Sequence, residues 1–389
     1  MKNLYQGDRG ILVSYMQLAL KRAGYPLLVD GIFGTDTCRA LADFLQTDRT
    51  PDRICVVDRS VWEKLLPYLR GYATEEGENR ILFEDPVTSV EVPYTSLLTA
   101  AVIDGILARY PFLKSGEIGK SVMGKPISYL EIGNGEKEVF YNASFHANES
   151  ITTPVLLKFA EEYAQAYEKG TALYGVPAAE LFEEYRLFLV PLVNPDGVDL
   201  VNGLLTDGGY YRRAQQIASD YPAIPFPSGW KANIEGIDLN LQFPAGWENA
   251  KRIKYAQGYT KPAPRDYVGE APLTAPESEA VYAFTRSHDF RLILAYHTQG
   301  EVIYWKYLDY EPAHSYEIAQ YFGRVSGYTV EETPTQSGYA GYKDWFIQEY
   351  DRPGYTIEAG MGENPLPMLD FAGIYRDNAG ILLGGMTQI

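Results

Sequence analysis

The stretch VFYNASFHANES, residues 139–150, decides the fold and carries the first chemical candidates. Residues 139–145 are mostly apolar, aromatic or β-branched, which predicts a buried strand. His146 and Glu149 follow directly, and positions i and i+3 of a turn or a first helical turn lie on the same side. An imidazole nitrogen and a carboxylate so placed suit zinc, which in a catalytic site needs three protein ligands and one open position.

A third ligand follows a second apolar run, RLILAYHTQG, residues 291–300. This run predicts another strand, and His297 stands at its end. The chain has four histidines, and His288 and His314 lie in polar, helix-like stretches that predict surface positions. A His-x-x-Glu pair alone also arises by chance. The pairing with a second strand-end histidine is what favours one zinc ion per chain.

Composition narrows the function classes. A chain of 389 residues predicts two domains. The net charge of −17 argues against nucleic acid, whose phosphates require a basic surface, and disfavours anionic membranes. The first ten residues contain no apolar signal segment, and no run of eighteen apolar residues exists. These features predict a cytoplasmic chain without membrane insertion; they do not predict its oligomeric state.

Two cysteines, Cys38 and Cys55, lie near the N-terminus. Two thiols cannot form a four-cysteine zinc site. A disulfide is compatible with the sequence, but spacing alone does not establish one. Free thiols are the expectation for an intracellular protein.

The first seventy residues predict three helices. Apolar residues recur at helical spacing over 10–23, after Thr35, and over 60–69. The element Asp30-Gly31-Ile32-Phe33-Gly34 with Thr37 resembles the peptidoglycan-binding domain of cell-wall hydrolases, although any small helical bundle is an alternative. We therefore predict a peptidoglycan-binding-like domain over 1–70, a polar, acidic linker over 71–93, and a second domain over 94–389.

The second domain alternates strands with helices. Strands are predicted over 113–133 as a hairpin and over 139–145, 184–193, 291–297, 301–306 and 353–358. Helices are predicted over 94–110, 153–167, 276–288, 316–323 and 369–386. This alternation predicts an α/β fold with a mixed, mainly parallel sheet flanked by helices. Ligands in such folds bind beyond the carboxyl ends of the strands, where His146, Asn194, His297 and Glu358 all fall.

Residues from about 95 to 389 resemble the carboxypeptidase A-like zinc metallopeptidases. Five motifs match in order: His146-x-x-Glu149, Asn194-Pro195-Asp196-Gly197, Gly236-Ile237-Asp238-Leu239-Asn240, His297, and Tyr355-Thr356-Ile357-Glu358. The resemblance implies that His146, Glu149 and His297 hold zinc. It implies that Glu358 is the general base and then protonates the leaving amine.

Several positions depart from that family. Leu241 follows Asn240 where true carboxypeptidases have an arginine that clamps the terminal carboxylate, and Asn148 replaces an arginine between two zinc ligands. Lys231 stands at the position of the arginine that polarises the oxyanion. Asn240 and Asn148 are predicted substrate contacts. The substrate-gating tyrosine has no clear counterpart, so Tyr342 or Tyr339 is the candidate.

Three segments, 230–233, 238–244 and 357–367, resemble the γ-D-glutamyl-diaminopimelate peptidases of spore-forming bacteria. That resemblance implies peptidoglycan stem peptides or muropeptides as substrates and an association with sporulation. The far end of diaminopimelate carries an amine and a carboxylate, so its pocket needs both charges. Arg212, Arg213 and Glu363 are the candidates, with ordinary surface charge as the alternative for each.

Two other functions remain open. A general metallocarboxypeptidase is opposed by Leu241. A catalytically inactive cell-wall-binding protein is opposed by the complete set of His146, Glu149, His297 and Glu358.

Overall fold

The structure, a computed structural model, describes residues 1–46 and 55–389. The chain divides into two compact units. The first comprises Met1–Pro93 with Leu97–Phe112, and the second comprises Tyr94–Ser96 with Leu113–Ile389. The sequence assigns residues 97–112 to the second domain, whereas the structure packs them with the first unit. The domain boundaries 1–70 and 94–389 stay predictions.

The first unit contains the three predicted helices and two small two-stranded sheets. Its elements are β1 (Leu4–Tyr5), α1 (Ile11–Arg22), α2 (Thr35–Phe44), β2 (Val56–Val57), α3 (Arg59–Arg70), β3 (Tyr72–Glu75), β4 (Glu78–Ile81) and α4 (Ser96–Arg109). β1 pairs with β2, and β3 with β4, both antiparallel. The span predicted as a linker therefore contains the β3–β4 hairpin.

Local chemistry explains the ends of α3 and its contact with α4. The Asp58 side chain accepts a hydrogen bond from the backbone of Val61, and Gly71 ends the helix in the left-handed conformation. At Gly105 of α4, an added Cβ would lie 1.9 Å from the Arg70 carbonyl oxygen. Only glycine permits this close approach, which fixes α4 against the end of α3.

Cys38 of α2 and Cys55 form a disulfide, with their Cα atoms 5.8 Å apart. The expectation of free thiols is therefore wrong. Spacing did not distinguish the two states, because pairing depends on how the chain brings the two Cβ atoms together.

The second unit contains the remaining elements. Its strands are β5 (Lys114–Lys120), β6 (Pro126–Ile132), β7 (Lys137–Ala143), β8 (Ala172–Leu173), β9 (Val176–Pro177), β10 (Tyr185–Val190), β11 (Leu292–His297), β12 (Val302–Tyr304), β13 (Thr329–Glu331) and β14 (Gly354–Glu358). Its α-helices are α5 (Thr152–Glu168), α6 (Ala178–Glu184), α7 (Pro195–Val201), α8 (Gly208–Ser219), α9 (Trp247–Ala256), α10 (Pro276–Arg286), α11 (Ser315–Ser326), α12 (Tyr342–Tyr350) and α13 (Phe371–Thr387). Short 3-10 turns span Ala147–Glu149, Leu239–Leu241 and Met368–Asp370.

Eight strands form one mixed sheet in the order β13-β12-β14-β11-β7-β10-β6-β5. The four central strands, β14, β11, β7 and β10, are mutually parallel. β6 and β5 continue one side antiparallel, and β12 pairs antiparallel with β14 on the other. The predicted α/β fold is confirmed, and the carboxyl ends of the central strands meet at one edge, as a ligand site requires.

The central strands are buried because helices cover the sheet. Every residue of β11 is buried, and Phe140, Phe188 and Ile293 share one core cluster with Phe346 of α12. His288 also lies half-buried, stacked on Phe290, rather than on the surface as predicted. Burying one apolar side chain of the core cluster, such as Phe140, contributes roughly 1.5–3 kcal/mol to the free energy of folding.

Among the described residues, no helix is both long and apolar enough to cross a bilayer.

Candidate metal and active site

Three buried side chains converge beyond the sheet edge. The Nδ1 atom of His146 lies 3.0 Å from Glu149 Oε1. The Nδ1 atom of His297 lies 3.0 Å from Glu149 Oε2 and 3.1 Å from His146 Nδ1. His146, Glu149 and His297 are 8%, 0% and 1% exposed. One nitrogen of each ring and the carboxylate therefore face a single point, which is the donor set of a catalytic zinc site.

The backbone explains this convergence. β7 and β11 are parallel neighbours, so His297, the last residue of β11, lies beside the turn that follows β7. That turn is the 3-10 segment Ala147–Glu149, with His146 in an extended conformation before it. The i, i+3 spacing thus puts both side chains on the same side of one turn, as predicted.

Asp238 contacts His146 on the side of the ring that faces away from Glu149, and so supports the group of His146, Glu149 and His297, which we call the trio. Its Oδ1 lies 3.1 Å from His146 Nε2, which is the ring nitrogen that points away from Glu149. A carboxylate in this position holds a proton on Nε2 and leaves Nδ1 free to bind a metal. Burial would raise the pKa of Asp238, but His146 and Lys231 hold it well below its usual range.

The electrostatics of the trio favour a cation. Burial lowers the pKa of His146, but Glu149 and Asp238 outweigh it and raise that pKa to about 9. Burial opposes ionisation of Glu149 as well, yet His146 and Lys231 hold its pKa well below the usual range. The carboxylates of Glu149 and Asp238 stabilise positive charge at the buried His146 ring, so the residues present fit a divalent metal ion.

Glu358 lies next to the trio on the adjacent strand. It ends β14, and in the parallel pairing with β11 it stands directly opposite His297. Burial raises the pKa of Glu358; Glu149 acts in the same direction, while His297 opposes it. A carboxylate with a raised pKa in a cleft suits proton transfer.

Lys231 reaches the same point from a loop. Its Nζ lies 3.0 Å from Glu149 Oε1. Burial lowers the pKa of this ammonium, but Glu149, Asp238 and Glu358 outweigh it and raise the pKa above its usual value. Lys231 is therefore a charged group at the reaction centre.

Asn194 ties the Lys231 loop to the strand end. Its Nδ2 donates to the carbonyl oxygens of Phe145 (3.1 Å) and Ala232 (3.0 Å), and its Oδ1 accepts from the backbone of Gly197. At Gly197, an added Cβ would lie 2.7 Å from the Ala232 carbonyl oxygen, so glycine permits this contact. Asn194 is fully buried and acts as a positioning residue rather than a substrate contact.

Two clefts open at the site. The larger, of about 530 Å³, contains Asn148, Lys231, Glu358 and Glu363 in its lining. The smaller, of about 200 Å³, contains the two zinc-ligand histidines, Asn240 and Leu241. The predicted contacts Asn148, Asn240 and Glu363 therefore lie at the clefts, with Glu363 exposed. Asn148 is 5% exposed, and its Oδ1 has no hydrogen-bond partner among the described residues.

Three predicted substrate contacts, Tyr342, Arg212 and Arg213, are not among the residues that line the two clefts. Tyr342 is fully buried, its hydroxyl lies 2.9 Å from Thr285 Oγ1, and its ring stacks on Phe145. Its backbone N–H donates instead to Asn240 Oδ1 (2.9 Å). Arg212 and Arg213 are exposed on α8 and line neither cleft. These positions were not evident from the sequence, because sequence position does not show side-chain direction.

Other site residues were missed. Asp238 was part of a quoted motif, but the motif alone did not show its contact with His146. Tyr304 ends β12 and lines both clefts, on the face of the sheet that carries Glu358. Arg265 also lines both clefts and gave no sequence signal, since it lies in an irregular loop.

Comparison with known proteins agrees with this geometry. Residues 99–371 match the family model described as zinc carboxypeptidase. The chain is 48% identical over 278 residues to γ-D-glutamyl-L-diamino acid endopeptidase 1 of Lysinibacillus sphaericus, covering 71% of this chain and 68% of that protein. It is 44% identical over 283 residues to the uncharacterized protein YqgT of Bacillus subtilis, covering 72% and 73%.

Solved structures show the same fold at low identity. Thrombin-activatable fibrinolysis inhibitor superposes with a TM-score of 0.61 at 17% identity, covering 78% of this chain and 77% of that one. Carboxypeptidase A of Helicoverpa armigera gives 0.57 at 18%, covering 90% and 94%. The chain belongs to the zinc carboxypeptidase family of metallopeptidases, and zinc is the metal that its His146–Glu149–His297 group is positioned to bind.

Proposed function

We propose that this metallopeptidase hydrolyses the amide bond between γ-D-glutamate and a diamino acid, diaminopimelate, in peptidoglycan stem peptides. The observation that carries the reaction is the convergence of His146, Glu149 and His297 beside Glu358 at a cleft. The bond is inferred from the relative at 48% identity, whose name specifies a γ-D-glutamyl-L-diamino acid endopeptidase.

Each polar group at the cleft has a role in this reaction. His146, Glu149 and His297 would hold zinc, which when bound would supply a Lewis acid for the scissile carbonyl and would lower the pKa of a water to about 7. Glu358 takes the proton of the attacking water and passes it to the leaving nitrogen as the C–N bond breaks. Lys231 places a positive charge where the carbonyl oxygen becomes negative. Asn148 Oδ1, which is buried and has no hydrogen-bond partner in the described part of the chain, accepts a hydrogen bond from the substrate.

Leu241 separates this function from ordinary carboxypeptidase activity. It is 8% exposed and packs in an apolar cluster with Trp247, Ala250, Val268 and Ala340. No cation stands at this position to clamp a carboxylate on the carbon next to the cut amide. A peptide whose diaminopimelate carries a further residue at that carboxyl group therefore remains a substrate.

Three substrates test the proposal: L-Ala-γ-D-Glu-diaminopimelate, the same peptide extended by D-Ala, and a hippuryl-Phe carboxypeptidase substrate. We expect comparable rates for the first two and hardly any hydrolysis of the third. Rapid hydrolysis of hippuryl-Phe without preference for the other two would indicate a general metallocarboxypeptidase. Zinc binding without any hydrolysis would indicate a non-catalytic cell-wall-binding protein.

We also propose that the first unit retains the enzyme on the cell wall. A groove of about 640 Å³ lies there beside Tyr25, Leu28, Asp36 and Arg39, and Leu28 is 76% exposed. An aromatic ring, an apolar side chain and both charges suit a glycan or peptide. Retention of the full chain on insoluble peptidoglycan should fall in Leu28→Asp but not in Leu369→Asp, a substitution at an apolar residue that is 93% exposed outside the groove. Equal retention would refute the role of the groove.

Where the enzyme meets its substrate decides its biological role. Imported wall fragments and the wall of a sporulating cell both supply stem peptides, and sporulation is the setting that the sequence resemblance suggests. Fractionation of vegetative and sporulating cells, with detection of the native chain, tests which setting applies.

A further inference from the structure

The smaller cleft joins the zinc-ligand histidines to charged groups that the reaction does not use. Besides His146, His297 and Glu358, its lining contains Lys254, Arg265 and Asp266, and the neighbours Lys343 and Asp344. We call Lys254, Arg265 and Asp266 the basic triad, and Lys343 and Asp344 the inner pair. Buried ion pairs contribute little net stability, because the loss of hydration offsets their attraction. Two such groups in one cleft of about 200 Å³ therefore point to a ligand.

The basic triad has a surplus positive charge. Asp266 Oδ1 lies 2.5 Å from Lys254 Nζ, and Asp266 Oδ2 accepts from Arg265 Nε at 2.7 Å. One carboxylate thus faces two cations. Among the described residues, Lys254 uses one of its three N–H donors, and Arg265 uses only Nε. The remaining donors suit a carboxylate of the ligand.

The triad is fixed relative to the zinc site. The backbone N–H of Asp266 donates to Asp238 Oδ2 at 3.0 Å, and the other oxygen of Asp238 contacts His146 Nε2. The Lys254 and Asp266 side chains are 11% and 15% exposed, so water screens them little, whereas the Arg265 side chain is 44% exposed. A ligand carboxylate held here lies at a set distance from the cut bond.

The inner pair leaves an acceptor available. Lys343 Nζ lies 2.6 Å from Asp344 Oδ1 and also donates to the Lys306 carbonyl oxygen and to Thr333 Oγ1. Its donors are therefore used. Asp344 Oδ2 accepts from the Gly341 backbone, and Asp344 Oδ1, at a residue that is 2% exposed, is paired with Lys343 alone among the described residues. Each oxygen of an ionised carboxylate can accept two hydrogen bonds, so Asp344 Oδ1 can also accept one from an ammonium of the ligand.

We propose that the smaller cleft binds the zwitterionic far end of the diamino acid, with Lys254 and Arg265 on its carboxylate and Asp344 on its ammonium. This inference rests on the proposed function and names the groups that read the leaving side of the substrate. It replaces Arg212, Arg213 and Glu363, which the sequence suggested for this task. The chemistry alone would also admit the carboxylate next to the cut bond, and a peptide extended there by D-Ala distinguishes the two.

The test uses four γ-D-glutamyl peptides that differ only in the leaving residue. Diaminopimelate carries both far groups, lysine only the amine, 2-aminopimelate only the carboxylate, and norleucine neither. We expect the wild type to prefer diaminopimelate over lysine by about 30-fold or more in kcat/KM, because loss of the carboxylate leaves buried donors unpaired. Extension by D-Ala should change the rate by less than about 3-fold, since that carboxylate is not the one that is bound.

Two variants assign the groups. Lys254→Met leaves Asp266 paired with Arg265, and it should reduce the diaminopimelate-to-lysine preference to about 3-fold, chiefly because the diaminopimelate peptide reacts more slowly. Lys251→Met, on the same helix but stacked on Trp247 and Tyr255, should keep the preference. The double variant Lys343→Met with Asp344→Asn removes the inner pair without a buried unpaired charge. It should abolish the preference for diaminopimelate over 2-aminopimelate.

The remaining outcomes distinguish a failure of this subsite from a failure of the proposed function. Equal wild-type rates on all four peptides, an equal loss on all four in Lys254→Met, or failure to cut the D-Ala-extended peptide would overturn this subsite. Absence of any γ-D-glutamyl hydrolysis would instead refute the proposed function. In that case calorimetry with the diaminopimelate and lysine peptides still decides the subsite: Lys254-dependent preference in binding supports it, and equal binding refutes it.

Discussion

Two of the buried charge clusters in the described part of the second unit invite comparison, and one of the two has the form of a reaction centre. At the sheet edge, ligand atoms of His146, Glu149 and His297 face one another at about 3 Å. A second cluster, the carboxylate scaffold, comprises Asp196, Asp199 and Glu277, each 2% exposed or less. Burial and charge are alike in the two clusters, so neither property identifies the site.

The difference lies in what the carboxylates already bind. In the scaffold, Asp196 and Asp199 both contact Lys125, and Asp199 also accepts from the backbone and hydroxyl of Ser96. Glu277 accepts from the Val122 backbone and from Asn233 Nδ2. These partners hold loops in place. In the zinc site, by contrast, two imidazole nitrogens and a carboxylate point at one another, an arrangement that a cation completes.

The largest effect is expected from removing a ligand. His297→Ala or His146→Ala should lose both zinc and activity, because two remaining ligands do not hold a catalytic zinc. Zinc per chain by atomic absorption, together with peptidase rate, measures this. His314→Asn is the control, since His314 is exposed with φ 62°, which asparagine tolerates. Full zinc occupancy in either alanine variant would contradict the assignment of the trio.

Glu358→Gln should separate chemistry from metal binding. The amide keeps the shape at the end of β14 but cannot accept and return a proton. We expect a fall of roughly 10²–10⁴ in kcat with zinc content and unfolding temperature unchanged. A rate within a few-fold of the wild type would show that another group carries the proton.

The zinc ligands and Glu358 were predictable from the sequence, because their positions follow from the geometry of a parallel sheet. His146, His297 and Glu358 follow or end central strands, and parallel strands bring their carboxyl ends to one edge whatever the intervening chain does. Glu149 was predictable because its spacing from His146 is local. The fold followed from the same alternation of strands and helices.

The substrate side was not predictable, because its residues come from loops and helices. Lys254 lies on α9 and Arg265 in a loop, while Lys343 lies near the start of α12; no periodicity aligns their side chains. Tyr342 illustrates the same limitation, because the sequence suggested it as a substrate contact. It stands next to Lys343, yet its ring points into the core. The left-handed backbone of Asp266 is likewise a tertiary feature.

Asp238→Asn should have an intermediate effect, on metal affinity. Asparagine retains an oxygen that accepts from His146 Nε2 but lacks the negative charge that makes the imidazole a better ligand. Zinc affinity, measured by competition with a chelator, should fall about 10–100-fold. Asp220→Asn, which changes an exposed carboxylate paired with Lys261, is the control. An unchanged affinity would mean that Asp238 only positions the Asp266 loop.

The smallest effect on activity is expected in the scaffold, where Glu277→Gln should change stability and its pH dependence. Burial raises the pKa of Glu277 to about 7, and Asp196 acts in the same direction. A carboxyl whose folded pKa exceeds its unfolded value of about 4.5 binds its proton more tightly in the folded state. Its contribution to stability is therefore fully present below pH 4.5 and is lost as the pH rises through 7.

The difference in unfolding free energy between wild type and Glu277→Gln should accordingly shift against the wild type by about 1–3 kcal/mol from pH 5 to pH 8. Denaturant titrations at several pH values measure it, with Glu279→Gln, an exposed neighbour on α10, as the control. Zinc content and kcat should stay at wild-type values, because Glu277 contacts neither a ligand nor a cleft. Parallel pH profiles would show that Glu277 titrates at its ordinary value, and a loss of zinc would show that the two clusters are one functional system.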